Sequence, residues 1–185
     1  RHANGRDWWI LALGYDNQAM LVFLLNPSDI KLHHVDTGII KFDPAFSTAL
    51  FSPDGTKWVH HGFHKNPLWP NPSNYPEVVH VVDFDRCDGH FSNHRFWEFT
   101  VPDFNGATGT SISPNSRFLY VSTGTYLFQY DLNSSNIQTT GILVDYINYN
   151  VPKPQYYPNY YLGQLAQDGK IYYCHDTKDP FYFDP

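Results

Sequence analysis

Ten histidines among 185 residues are the first chemical feature of this chain, and five of them are grouped: His60 and His61 with His64, and His90 with His94. Imidazole is a preferred zinc ligand, but a zinc site needs three or four ligands converging at about 2 Å. His60 and His61 sit in the strand-forming run Lys57-Trp58-Val59-His60-His61, where neighbouring side chains point to opposite faces. One ion could not take both without a bulge. These are expected to be packing histidines, with no metal site.

The run Asp83-Phe84-Asp85-Arg86-Cys87-Asp88-Gly89 has the carboxylate density that calcium seeks, but its spacing is wrong. Counted from Asp83, the fifth position is Cys87 and the sixth is Asp88, where a calcium loop needs an oxygen ligand and then glycine. With the corresponding Asp131-Leu132-Asn133-Ser134, it reads as a turn whose carboxylates accept backbone N–H groups. No nucleophile elbow, phosphate-binding loop or dinucleotide fingerprint occurs. Gly106-Ala107-Thr108-Gly109 lacks the lysine of a phosphate loop and introduces a strand. No catalytic residue and no cofactor is therefore expected. Scattered Asp and His could still converge in a central funnel, so the alternative is a lactonase-like or other hydrolase with a metal there.

Binding chemistry is more prominent. Leu68 to Pro76 holds Trp69 and Tyr75 among prolines, and Tyr149 to Tyr161 holds Tyr156 and Tyr157. Large aromatic surfaces on stiffened loops cost little conformational entropy on binding. These four residues are the candidate binding set, with a protein or glycan as partner. A loop folded back over its own strands is the competing reading of each segment.

The elements that would carry these loops are strands. Aromatics make up 18% of the chain and charged residues only 16%, a bias that favours β structure. The net charge of −6 argues against a nucleic-acid partner, which needs clustered Lys and Arg. No apolar run is long enough to span a membrane.

A repeat organises the strands. Ser52-Pro53-Asp54-Gly55 precedes Lys57 to His61, Ser113-Pro114-Asn115-Ser116 precedes Arg117 to Val121, and Ala166-Gln167-Asp168-Gly169 precedes Lys170 to Cys174. His2-Ala3-Asn4-Gly5 before Asp7 to Leu11 is a looser copy. Each reads as a tight hairpin turn. Third strands follow at Met20–Pro27, Val79–Asp85 and Tyr126–Asn133, and outer strands at Ile30–Val35, Arg95–Thr100 and Ile137–Val144. First strands such as Thr110-Ser111-Ile112-Ser113 and Leu162 to Ala166 are rich in small residues, as a crowded axis requires. Four short antiparallel strands repeated at roughly 50 to 60 residues is the pattern of propeller blades.

The predicted fold is all-β, a β-propeller fragment of about three and a half four-stranded antiparallel blades. The blade pieces fall at approximately 1–38, 46–101, 107–145 and 160–185. Trp8, Trp58, Phe118 and Ile171 are taken as equivalent and facing blade interfaces. Cys174 is expected to be buried, and not bonded to Cys87. An incomplete ring leaves an apolar blade face, so completion by further sequence or by self-association of two half-rings is expected.

The segments quoted above, with Asp83-Phe84-Asp85-Arg86-Cys87 and Leu165 to Tyr172, resemble the WD40-like propeller region of large secreted Bacteroidetes proteins associated with type IX secretion. The likeness covers nearly the whole chain. It implies a secreted or cell-surface location and a binding or scaffold role, and carries over no catalytic residue. The insertion from Pro67 to Pro76 departs from that pattern.

Overall fold

The computed structural model describes residues 1–14, 19–37, 47–63, 76–102, 109–147 and 159–174. Among these residues thirteen strands form four sheets, each made of strands consecutive in the chain and all antiparallel. The first contains β1 (Trp8–Leu13), β2 (Ala19–Leu25) and β3 (Ile30–Thr37). The second contains β4 (Thr48–Phe51), β5 (Lys57–Phe63), β6 (Glu77–Phe84) and β7 (Phe91–Phe99). The third runs through β8 (Gly109–Ile112), β9 (Phe118–Ser122), β10 (Tyr126–Asp131) and β11 (Ile142–Tyr146). The last is the pair β12 (Gly163–Leu165) and β13 (Ile171–Tyr173). This succession of meandering sheets is the blade arrangement of a β-propeller, and no closed ring is formed among the described residues.

Each predicted hairpin turn is present and built alike. Gly5, Gly55, Ser116 and Gly169 adopt φ of 73°, 74°, 58° and 78°, the left-handed region that glycine enters at no steric cost. Ser116 is the one non-glycine among them, and its hydroxyl has a task there: Oγ accepts the Asp54 N–H at 3.0 Å, joining the turns of two sheets. Within the turns, Asp54 and Asn115 accept the N–H groups of Thr56 and Arg117. The later Asp turns behave as read from sequence, with Asp85, Asp88 and Asp131 accepting from Cys87, His90 and Asn133.

Sheets pack face to face through two apolar clusters. Trp9, Met20 and Val22 of the first sheet meet Trp58, Val82 and Phe84 of the second. On the opposite side of the second sheet, Val59, Val79, Val81 and Trp97 meet Ile112, Leu119, Val121 and Tyr130 of the third. The second sheet thus has a leading face toward the preceding sheet and a trailing face toward the following one. A sheet apolar on both faces is stable only when sandwiched in this way.

The register corrects several expectations. Ser52 N bonds Lys57 O and Ser113 N bonds Phe118 O, so Phe118 is the counterpart of Lys57, not of Trp58. Trp58 corresponds to Leu119, and both lie on leading faces. Trp8 shares that orientation but is 50% exposed, with no sheet packed on it among the described residues. His60 consequently aligns with Val121 and His61 with Ser122. The outer strand expected over Ile137–Val144 begins later: Ile137–Thr140 forms a 3₁₀ turn, pinned by Thr140 Oγ1 accepting the Asp131 N–H at 2.8 Å. Cys174 is exposed rather than buried, since it follows the last residue of β13 on the side that no described sheet covers. Cys87 and Cys174 are both free.

Candidate functional site

Inner strands β4, β8 and β12 lie side by side, β8 between the others, and line a groove of about 590 Å³. Close approach at this axis explains their small residues. A Cβ on Gly109 would stand 1.7 Å from the Tyr161 carbonyl oxygen, and one on Gly163 would stand 2.6 Å from the Tyr173 ring. Only glycine fits either position.

The groove is lined by Thr48 to Phe51, Pro53, Thr110 to Ile112 and Leu162 to Leu165. Its polar side chains are three hydroxyls and one amide. Thr48 Oγ1 lies 3.0 Å from Thr110 Oγ1, and Ser111 Oγ lies 2.7 Å from the Tyr173 hydroxyl, whose ionisation burial pushes up to about 12. Gln164 is exposed. Among the described lining side chains none ionises near neutral pH, and this surface offers hydrogen bonds and apolar contact.

The titratable groups lie between sheets instead. His61 and Glu77 are both fully buried and joined through Nε2 and Oε2 at 2.8 Å. Phe63 pairs with Glu77 and His61 with Val79, which makes His61 and Glu77 diagonal neighbours on one face. His61 Nδ1 lies 3.3 Å from Gly109 O, and a carbonyl can only accept, which assigns the proton to Nδ1. One further proton is then shared between Nε2 and the carboxyl. Burial pushes the Glu77 carboxyl up, opposed by the adjacent His61. Such a pair joins two strands of one blade to the first strand of the next, a structural role.

Other imidazoles gather on the leading side of the second sheet. His80 Nδ1 and His94 Nε2 lie 3.0 Å apart, and the His60 ring is 5.8 Å from that of His80. At the junction with β3, the His34 and His90 rings lie tilted at 31° with centroids 4.3 Å apart, and Nδ1 of His33 and His34 are 2.8 Å apart. Burial, then the neighbouring His80 and His61, depresses His60 to about 3. Burial also lowers His34 and His94. Among the described residues no group of three or more His, Cys, Asp or Glu is arranged to hold a metal ion, and no helix is long and apolar enough to cross a membrane.

The sequence-derived binding set lies elsewhere. Trp69, Tyr75, Tyr156 and Tyr157, like His64 and Gly106 to Thr108, are outside the described residues. The structure brings His60 to His80 and places His90 and His94 in separate histidine contacts. Sequence reasoning missed Glu77, although a lone acid opening the apolar run Glu77-Val78-Val79-His80-Val81-Val82 is a detectable signal, because a buried carboxylate requires a partner.

The class defined by these sheets and their axial groove is an all-β array of propeller blades. Comparison with other proteins adds little to that. No protein-family model matches the chain, and no curated protein matches it. Among solved structures it is similar to a Bacteroides fragilis protein described as a 6-phosphogluconolactonase, at 14% identity and TM-score 0.46, covering 78% of this chain and 35% of that one. It is also similar to the hydrazine synthase of Kuenenia stuttgartiensis, at 12% identity and TM-score 0.43, covering 96% of this chain and 58% of that one. The chain therefore spans less than two thirds of either structure.

Proposed function

We propose that this chain is a non-catalytic binding or scaffold module of a secreted or cell-surface protein, taking a protein or glycan ligand through its aromatic loops. The observation that carries this reading is the groove along β4, β8 and β12, whose lining is hydroxyl, amide and apolar and holds no group that ionises near neutral pH. A surface of this composition suits recognition of neutral polar groups. Trp69, Tyr75, Tyr156 and Tyr157 supply aromatic contact area of the type that dominates binding energies. The resemblance to propeller regions of secreted Bacteroidetes proteins supports the location.

The test is a glycan array, together with pull-down from an extracellular protein fraction, followed by titration calorimetry on any hit. Trp69→Ala and Tyr75→Ala should each weaken binding at least tenfold, with unfolding midpoints unchanged. Metal-dependent turnover of a lactone or ester panel by the purified chain would overturn the reading in favour of a hydrolase.

A further inference from the structure

Three histidines meet where the first sheet touches the turn that joins β6 to β7. His33 and His34 belong to β3, and His90 closes the turn, its carbonyl accepting the Asp85 N–H. Adjacent residues of a regular strand point to opposite faces, but β3 is irregular here: Phe23 pairs with Leu32 and Val22 with His34, which leaves His33 as the extra residue of a β-bulge. Bulges re-aim side chains. Nδ1 of His33 and of His34 come to 2.8 Å, and the His34 and His90 ring centroids to 4.3 Å. The His33 ring also meets Trp9 edge-on at 5.2 Å, and the Trp9 indole N–H donates to the Arg86 carbonyl of the same turn at 2.9 Å.

While these rings touch, they can hold few protons. The hydrogen bond between His33 and His34 needs one N–H and one lone pair, so a single imidazolium fits on that line and two do not. His34 Nε2 is buried with no hydrogen-bond partner among the described residues, and a proton there lacks an acceptor. His34 and His90 as two cations would repel at a separation well inside the screening length of about 8 Å. The surrounding charges do not reverse this. Asp36 on β3 and Asp88 on the turn favour a His34 cation, but burial, then His90 and His33, outweigh them and hold His34 below its ordinary range. Asp88 already accepts the His90 backbone N–H, and burial pushes Asp36 up. Arg86 gives its guanidinium to the Arg1 and Asp54 carbonyls, Arg6 pairs with Asp7, and His2 lies against Trp9. A lowered histidine contributes stability present above 6.5 and lost as pH falls. We infer that His33, His34 and His90 form an acid-sensitive latch, which ties β3 to the β6–β7 turn at neutral pH and releases it when more than one ring takes a proton. His33 and His90 are exposed, so protons reach the latch without unfolding. Met20 and Val22 stay packed on Trp58 and Val82, which keeps the release local. The inference is independent of the ligand-binding proposal.

The test is hydrogen exchange of the Trp9 indole N–H, followed by NMR at pH 7.5 and pH 5 and expressed relative to its intrinsic rate at each pH. Its bond to the Arg86 carbonyl joins the two sheets. Protection should fall at least tenfold at pH 5, while the amides of β9 and β10 keep theirs. The double variant His34→Phe with His90→Phe retains two planar rings that cannot take a proton, and its protection should be equal at both pH values. His90→Gln, at an exposed position, makes little demand on packing and decides the matter should the double variant not fold: it should remove more than half of the response. His60→Val should leave the response intact. Trp9 protection that is independent of pH in the parent would overturn the inference, and so would an undiminished fall in the double variant or in His90→Gln. A fall shared by the amides of β9 and β10 would overturn it as global unfolding, and loss of the response in His60→Val would assign the effect to that buried ring instead.

Discussion

Acid should loosen the junction between the first two sheets, and His60 is where the effect can be isolated. The side chain is 4% exposed, stacked on Trp58 with centroids 5.9 Å apart and near His80. Burial and the neighbouring imidazoles depress it from 6.5 to about 3. The folded state therefore holds it neutral at a pH where the unfolded chain protonates it. A depressed histidine contributes stability that is intact above 6.5 and is lost as pH falls toward about 3. The loss is about 1.4 kcal/mol per pH unit below the unfolded value, or about 2 kcal/mol at pH 5. His34 and His94 are shifted the same way. Glu77 and Asp36 are raised and act in the opposite sense, so the parent's total slope mixes several groups. His60→Val places there the residue found at the aligned Val121 and removes one titration. Urea unfolding followed by tryptophan fluorescence, at pH 7.5 and pH 5, gives the difference directly. Between the two pH values the parent should lose about 2 kcal/mol more than the variant. Equal losses would refute the reasoning, showing that His60 is not held neutral by burial.

Four further substitutions at three positions probe the packing of the sheets. Trp58→Ala empties the centre of the cluster between the first two sheets and should cost about 3 to 5 kcal/mol in denaturant unfolding; a neutral result would mean that these sheets do not stack. Gly109→Ala drives a Cβ into the Tyr161 carbonyl and should cost about 3 kcal/mol, with amide exchange in β12 and β13 accelerating first. Glu77→Ala leaves His61 buried without its partner and should cost about 3 to 5 kcal/mol in thermal unfolding, whereas Glu77→Gln, which retains a hydrogen-bonding group of the same size, should cost less than half of that.

The fold was legible because its signals are local. A turn tetrapeptide recurring before an apolar run identifies a hairpin whatever surrounds it, and all four such turns adopt the backbone expected of them. Facing was harder, since a shift of one residue turns every side chain to the other side of the sheet. Phe118 resembles Trp58 in type, yet it takes the register of Lys57 and lies under the Arg117 guanidinium, 4.9 Å from its ring centroid. Trp8 and Cys174 were misjudged for another reason: their exposure depends on whether a neighbouring sheet is present, which residue type does not encode. The His61–Glu77 contact spans 16 residues of sequence, and the carbonyl that fixes the His61 proton comes from a different blade. Neither could be read from spacing alone.

Successive blades placing their inner strands side by side at one axis is the feature on which the groove and the stacking both depend. Thr48 and Thr110 are its most direct reporters, because they belong to different sheets and their hydroxyls lie 3.0 Å apart. With Cys87 and Cys174 replaced by serine, Thr48→Cys and Thr110→Cys should form an intramolecular disulfide on mild oxidation, since side chains in such contact can meet the geometry of the bond. Peptide mapping by mass spectrometry should find the two positions joined in most of the folded protein. Free thiols at both positions in a protein that remains folded would contradict the propeller arrangement.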